Sequence, residues 1–363
     1  MSVNRPALNI VLDAGTIATA EVSSARSSQE VFILKLAESL ARKSVAVVVT
    51  STRIDKPVSG PGFLLVPRRD VRSHVDGLAG IVLRFGYDPR FMFRTLALSR
   101  KLGWRRGVYV FDYYGTALEF SRLDRKLAGE VLFRVGLGML RLFDHVLIVN
   151  PEIRPWLPRS VARRAVLTRV GASPIEGGGI AYREPGLVVF AGSLTRENLV
   201  LELIEAFGTV GCEPRQLVIY GDGPLRDQVA ALALRTPNCS FLGLQLNSVI
   251  ADVQSRAWLT VALRKRVLPA GAFSFPSKLV ECLGSGAVTV GSSHCVVPDL
   301  GSVALVSGDD IASIARSIEL GLELPRAEHV SMSSAARDLV CKEFSWDKIA
   351  NELLNQLQPP PPS

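Results

Sequence analysis

Short apolar runs separated by helix-period stretches set the pattern of this chain. Leu8-Asn9-Ile10-Val11-Leu12 reads as a buried strand, and a loop rich in serine (Ser23, Ser24, Ser27, Ser28) follows it. From Gln29 to Arg42 the positions Val31, Leu34, Ala37, Glu38 and Ala41 trace the two faces of a helix, and Val45 to Thr50 is a β-branched run. Strand, helix and strand at this spacing form a βαβ unit, which implies a parallel sheet with right-handed crossovers. Strand-like runs at Gly80–Leu83, Gly107–Phe111 and His145–Val149 alternate with helical stretches at Phe91–Lys101 and Leu123–Leu142.

The pattern then restarts. Gly171 to Gly179, with Pro174, reads as a linker. After it come a strand at Leu187–Gly192, a helix at Glu197–Phe207, and a strand at Leu217–Tyr220 that ends in Gly221-Asp222-Gly223-Pro224. A helix at Leu225–Leu234 follows, then strands at Ser240–Leu242 and near Trp258–Leu263, a helix opening at Leu279–Leu283, and a strand at Ala287–Val290. The expectation is an α/β chain of two Rossmann-like, doubly wound parallel-sheet domains, residues 1–172 and 173–345. An amphipathic helix at Trp346–Leu357 should pack back on the first domain, ahead of a Pro359–Pro362 tail that cannot be helical. Two such domains facing each other place a ligand cleft between their strand C-termini.

Composition narrows the class. A chain of 363 residues exceeds one ordinary core, and 48% apolar against 21% charged residues excludes disorder. The mean hydropathy is +0.25, yet the most apolar stretch, Val131–Val149, is interrupted by Arg134, Arg141, Asp144 and His145, so no spanning helix is expected. The first residues, Met1 to Pro6, carry no signal-peptide h-region. Five widely spaced cysteines (Cys212, Cys239, Cys282, Cys295, Cys341) suit reduced thiols in a cytoplasm better than a zinc site or disulfide framework.

The net charge of +8 is uneven: residues 1–170 hold 27 Lys+Arg against 14 Asp+Glu, and the remainder 15 against 20. An anionic partner is therefore expected on the first domain. Arg84, Arg90, Arg94, Arg100, Lys101, Arg105 and Arg106 lie among Phe85, Phe91, Phe93 and Trp104, and Val131–Leu142 is apolar with Arg134 and Arg141. Basic, aromatic helices suit an anionic membrane surface; an ordinary solvated arginine-rich surface is the plain alternative. No nucleic-acid module accompanies the charge, so nucleic acid is not expected as a partner.

The densest chemistry lies in Phe273-Ser274-Phe275-Pro276-Ser277-Lys278-Leu279-Val280-Glu281 and Cys282-Leu283-Gly284-Ser285-Gly286. Pro276 or Ser277 could cap a helix whose first amides seat a diphosphate. Lys278 lies in that first turn, where a cation opposes the helix dipole unless an anion offsets it. Glu281, one turn on, could accept hydrogen bonds from two vicinal hydroxyls, as a ribose offers. A solvated Lys and Glu on an ordinary helix start is the competing reading.

Pro276-Ser277-Lys278 followed by Glu281 and Gly286 resembles the donor-site segment of retaining, nucleotide-sugar-dependent glycosyltransferases of the GT-B fold, family-4-like and of the bacterial polysaccharide type. The resemblance extends along most of the chain. Leu187–Phe207, Leu217–Val229 with its Gly221-Asp222-Gly223-Pro224, and Phe241-Leu242-Gly243 resemble successive strand ends of the donor domain. Phe344-Ser345-Trp346 resembles the start of the terminal helix, Gln29-Glu30-Val31 with Leu36, Ala37 and Leu40 the first acceptor-domain helix, and Asp144–Val149 with Glu152 the last strand before the linker.

What the resemblance implies is specific. Glu281 matches the second glutamate of a paired E-x7-E signature and would hold the donor ribose; the first glutamate's position is Phe273, Phe275 keeps the pattern's aromatic, and Pro276 stands for the usual glycine. The family's diphosphate-neutralising Arg and Lys fall at Ser193 and Asn198. The glycine-rich loop after the first strand has become Ser27 and Ser28, and Phe111-Asp112-Tyr113-Tyr114 carries no histidine. Substrate-binding positions are then Ser277, Leu279, Glu281, Gly192, Ser193, Gly221, Gly243 and Phe275.

A departing nucleotide gains charge, so its diphosphate needs cations. Lys278 is the first candidate, with Arg196, Arg264 and Lys265 behind it. Asp112, at a strand end, could orient or deprotonate an acceptor hydroxyl, or serve as a polar strand end or cap. Tyr113, Tyr114 and Trp104 could stack on a sugar or simply pack, and His74, His145, His294 and His329 read as structural. No D-x-D and no ligand-spaced cluster occurs, so neither a catalytic metal nor a cofactor is expected.

The reading is a cytoplasmic hexosyltransferase, peripheral to the inner face of the plasma membrane. It would move a sugar with retention from a nucleotide diphosphate sugar, UDP before GDP, to a glycan or lipid-linked acceptor in cell-surface polysaccharide synthesis. A non-catalytic nucleotide-sugar-binding subunit and a nucleotide-sugar epimerase stand as alternatives.

Overall fold

The structure is a computed structural model that describes residues 8–15, 17–21, 28–43, 45–75, 80–110, 123–173, 183–213, 215–265, 277–293, 295, 300 and 302–357. The chain divides into two compact units. The first runs to Gly171 and is rejoined by the segment from Trp346, and the second lies between Ala172 and Ser345.

In the first unit the elements are β1 (Asn9–Gly15), α1 (Ser28–Ala41), β2 (Ala46–Ser51), β3 (Val58–Ser59), β4 (Leu64–Pro67), β5 (Gly80–Phe85), α2 (Pro89–Leu102), β6 (Arg105–Val110), α3 (Leu123–Met139), β7 (His145–Ile148), α4 (Arg159–Ala162) and β8 (Val166–Leu167). Among the described residues they build an eight-stranded sheet of order β3-β4-β2-β1-β5-β6-β7-β8. All its pairings are parallel except β3 with β4. From β4 to β7 this is the doubly wound order, whose winding reverses between β1 and β5. The strands are apolar runs because helices cover both faces: β5 is buried at all six positions. β8 follows β7, so the strand at His145–Ile148 is not the last before the second unit.

Local sequence explains the helix ends. The Asp88 side chain accepts the Arg90 amide at 2.9 Å, Pro89 fills the first helical position, and Gly103, at φ 69°, closes α2 in the left-handed conformation. The basic stretch expected as one surface is divided by the fold. Arg90, Arg94, Arg100 and Lys101 are exposed on α2, but Arg84 is buried inside β5 and Trp104 is buried against Gly80. The protein interior, not a sugar-stacking or membrane-facing surface, holds those two.

The second unit contains β9 (Glu184–Ala191), α5 (Val200–Thr209), β10 (Gln216–Tyr220), α6 (Arg226–Ala233), β11 (Cys239–Gly243), α7 (Asn247–Arg256), β12 (Ala257–Ala262), α8 (Ser277–Gly284), β13 (Val288–Ser292), β14 (Leu305–Ser307), α9 (Ile311–Glu323) and α10 (Arg326–Glu343). Its described strands form a parallel sheet of order β11-β10-β9-β12-β13-β14. The doubly wound order recurs, with its reversal between β9 and β12.

The last helix, α11 (Trp346–Leu357), returns to the first unit. It buries Trp346, Ile349, Ala350, Leu353 and Leu357 in that unit's core. The Trp346 ring meets Phe32 edge-on at 5.5 Å, and Gly171 leaves room for it because a Cβ there would meet the indole. Asp347 accepts from Ser39 Oγ of α1 and, at 2.9 Å, from Arg42 just past its end. Where the chain leaves and returns, the Ala172 amide donates to Phe344 O at 2.8 Å.

Candidate functional site in the second unit

In an open α/β sheet, ligands bind outside the carboxyl ends of the strands where the winding reverses. In the second unit that point lies after Ala191 of β9 and Ala262 of β12. The loops there are laced together by their backbones. Gly192 N–H donates to Tyr220 O (3.1 Å), Leu194 N–H to Asp222 O (2.9 Å), Leu225 N–H to Leu194 O (3.0 Å), and Gly221 N–H to Gly243 O (2.9 Å). Gly221 has φ 144°, and an added Cβ would collide with the Gly192 carbonyl oxygen. Gly192 and Gly221 thus spend their amides on the framework, and Gly243 contributes its carbonyl. Close backbone approach explains Gly221, and a left-handed φ of 69° explains Gly243, before any ligand does.

Past Gly192 the chain turns tightly. Ser193 O accepts from the Thr195 amide (3.0 Å) and from Asn198 Nδ2 (2.7 Å). The two positions where a cation was expected therefore hold a turn together through neutral groups, and the Ser193 side chain is exposed. Leu199 follows in the left-handed region at φ 52°, unusual for a leucine, and starts α5. The chain just past β12 is fastened on two sides: the Lys265 amide donates to Glu197 O of the same turn at 2.5 Å, and the Arg264 amide to Ser292 Oγ at the end of β13 at 2.8 Å. Arg264 and Lys265 therefore sit on the rim of the switch point.

Helix α8 supplies the other predicted residues. Its sequence alternates a buried face with an outer one. Leu279, Val280, Cys282 and Leu283 are in the core, so Leu279 can offer a ligand only its backbone. Ser277 is the first helical residue and is half-buried. On the outer face Lys278 Nζ lies 2.7 Å from Glu281 Oε2, with side chains 46% and 37% exposed. The negative charge of Glu281 raises the Lys278 pKa. The cation that opposes the dipole of α8 thus has its compensating anion one turn away.

Sequence reading missed what anchors the far end of α8. Arg183 is buried and donates to Ala257 O (2.8 Å) and Ser285 O (3.1 Å), tying the C-terminal turn of α8 to the start of β12. Burial without a carboxylate pushes its pKa down to about 10. Its only sequence signal is an arginine placed immediately before a strand. The residues Asp112, Tyr113, Tyr114, Phe273, Phe275 and Pro276 lie outside the described residues. Among those described, no group of three or more His, Cys, Asp or Glu is arranged to hold a metal ion, and no helix is long and apolar enough to cross a membrane.

Comparison with known proteins meets the geometry at this point. Residues 185–323 match the family model described as Glycosyl transferases group 1. No curated protein sequence matches the chain. Among solved structures it is similar to an alpha,alpha-trehalose-phosphate synthase (UDP-forming) from Burkholderia xenovorans in complex with glucose-6-phosphate, with TM-score 0.69, 13% identity, and coverage of 97% of this chain and 100% of that one. It is likewise similar to Anabaena Alr3699/HepE in complex with UDP and glucose, with TM-score 0.69, 11% identity, and coverage of 96% and 99%. An E. coli trehalose-6-phosphate protein bound with UDP-2-fluoro glucose matches with TM-score 0.68, 11% identity, and coverage of 97% and 100%. Residues 185–323 of the second unit thus match the Glycosyl transferases group 1 model, and the chain that carries them has the fold of the GT-B glycosyltransferases.

Proposed function

We propose that the protein is a retaining hexosyltransferase that takes its sugar from a nucleoside diphosphate sugar, UDP before GDP, held by the second unit. One observation carries the reading: inside the matched region, α8 presents a carboxylate and an ammonium side by side on its exposed face. Glu281 would share its oxygens between Lys278 and the two ribose hydroxyls. An ammonium has three donors, so Lys278 keeps two for diphosphate oxygens after pairing with Glu281. Arg264 and Lys265, on the rim beside β9, would add the positive charge that Ser193 and Asn198 do not supply. The bound nucleotides in the names of the similar structures support the choice of UDP.

In this scheme the bond from the sugar's anomeric carbon to the diphosphate oxygen breaks, and a bond to the acceptor oxygen forms on the same face. The acceptor proton passes to the departing phosphate oxygen, so no enzyme nucleophile is needed. Cations close to the diphosphate stabilise the charge that grows there. The first unit would bind a glycan or lipid-linked acceptor, with Asp112 as a candidate to orient its hydroxyl, in cell-surface polysaccharide synthesis.

The same unit would rest on an anionic membrane surface at the cytoplasmic face. Its support is a row on α2, Arg90, Phe93, Arg94 and Arg100, beside exposed Val131, Leu132 and Val135 of α3, which packs against α2. Phe93 is 63% and Val131 60% exposed, and α2 itself carries no acidic residue.

A second reading is favoured by the neutral side chains at Ser193 and Asn198: a subunit that binds the nucleotide sugar without turnover. Incubation with labelled UDP- and GDP-sugars separates the two. Slow hydrolysis or transfer of the sugar marks the enzyme, and binding with no release over many hours marks the subunit.

A further inference from the structure

At the carboxyl ends of the first sheet, beside its own point of reversal, the side chains of β1, β2 and β5 meet in a buried charged cluster. Asp13 of β1 is fully buried. Its Oδ2 accepts from Arg68 Nη2 at 3.0 Å and from Thr95 Oγ1 of α2 at 2.5 Å. Its Oδ1 accepts from Thr50 Oγ1 of β2 at 3.2 Å and lies 3.8 Å from Arg84 Nη1, which donates to Asp13 O at 3.0 Å. The carboxylate is saturated.

The guanidinium groups are not. Arg84 is 5% exposed as a side chain, yet among the described residues its Nε has no hydrogen-bond partner, and neither does the buried Nη1 of Arg68. Among the described residues Asp13 is the carboxylate that faces both cations; Asp88, near enough to feel Arg84, is already paired with Arg90 at 2.6 Å. Arg84 also lies over the Phe91 ring at 4.7 Å, and the exposed Arg94 stands 5.5 Å from the same ring. Loss of water lowers the Arg68 pKa, against the pull of Asp13, and Arg84 and Arg94 are near enough to lower it further.

A buried donor left unpaired loses its hydration without recompense, and the loss is greater when the group is charged. Two such donors and a surplus positive charge, at the edge where doubly wound sheets receive ligands, are the chemistry of an oxyanion seat. We infer that Arg68 and Arg84 bind an anionic group, phosphate or carboxylate, carried by the acceptor. This rests on the reading of the first unit as the acceptor unit. It makes the acceptor a charged molecule, with Asp13 holding the two arginines in place and Thr95 and Thr50 holding Asp13.

The test titrates inorganic phosphate, and separately acetate, into the protein at constant ionic strength set with chloride. UDP is present at saturation so that the second unit does not report. The expected result is binding to the wild type, weakened at least tenfold in Arg68→Gln, with Arg159→Gln, an exposed arginine of the same unit, unchanged. Response to phosphate names a phosphorylated acceptor, and response to acetate alone a carboxylated one; either supports the site. If Arg84→Gln fails to fold, Arg68→Gln and Arg68→Lys carry the test, and Lys should restore part of the affinity. Equal binding to wild type and Arg68→Gln, or no response beyond chloride, overturns the inference. Should UDP fail to bind while the phosphate response still depends on Arg68, the donor reading falls and the anion site stands.

Discussion

Lys278 and Glu281 hold one another across one turn of α8, ammonium to carboxylate at 2.7 Å, with more than a third of each side chain exposed. The pair is one unit of charge compensation, so the two residues do not act independently. Replacing Lys278 with Ala leaves the carboxylate for the ribose and removes the cation from the diphosphate. Lys278→Ala should lower kcat by on the order of 100-fold while KM for the donor moves little. Steady-state kinetics with a UDP-sugar check this, and an unchanged kcat would assign the diphosphate to Arg264 and Lys265 instead.

Gly221 touches the Gly192 carbonyl with no space for a methyl group and sits at φ 144°. Gly221→Ala should destabilise the second unit by about 3 kcal/mol and shift the loops that follow β9 and β10. Denaturant unfolding measures the loss; a midpoint equal to that of the wild type would contradict the close approach.

His329 is buried, with Nε2 2.8 Å from Trp258 O and its ring 4.0 Å from the indole. Burial holds its pKa below the ordinary 6.5. The unfolded chain then takes up the proton first, so this contribution to stability is complete above pH 6.5 and declines as pH falls from there toward the lowered value. Melting temperatures from pH 8 to 5 should drop over that window in the wild type and less steeply in His329→Gln. Parallel curves would place the pH dependence on other groups.

The row of Arg90, Phe93, Arg94 and Arg100 with Val131 and Val135 should bind vesicles containing anionic lipid. Each arginine near the surface contributes about 1 kcal/mol, and salt should weaken the binding. Co-sedimentation with phosphatidylglycerol-containing vesicles is expected to fall in Arg94→Glu and in Val135→Glu. Equal binding to neutral and anionic vesicles would refute the docking face.

Much of the architecture is written in local pattern. The run Val45–Thr50, the strand pair ending in Gly192 and Gly221, and the helix Trp346–Leu357 are all legible because burial on one or both faces imposes a period on the residues. The lysine and glutamate of α8 are legible for the same reason, lying three apart on the outer side of an apolar helix. The Asp13 cluster is not, since its members come from positions up to 82 residues apart and meet only through the strand order. Arg84 in particular reads as one of a basic surface series, and only its place inside β5 reveals a buried charge. Ser193 and Asn198 could be named as substitutions, but not the hydrogen-bonded turn they close. Arg183 shows in sequence only as an arginine before a strand, because what it caps is a helix terminus a hundred residues later.

Calorimetric titration of UDP into the wild type and into Glu281→Gln tests the donor site most directly. A charged hydrogen-bond acceptor on the ribose contributes about 1.5–3 kcal/mol, so UDP should bind the wild type and bind Glu281→Gln about tenfold or more weakly. No UDP binding to the wild type, or equal affinity in the two proteins, would contradict the assignment of α8 to the nucleotide.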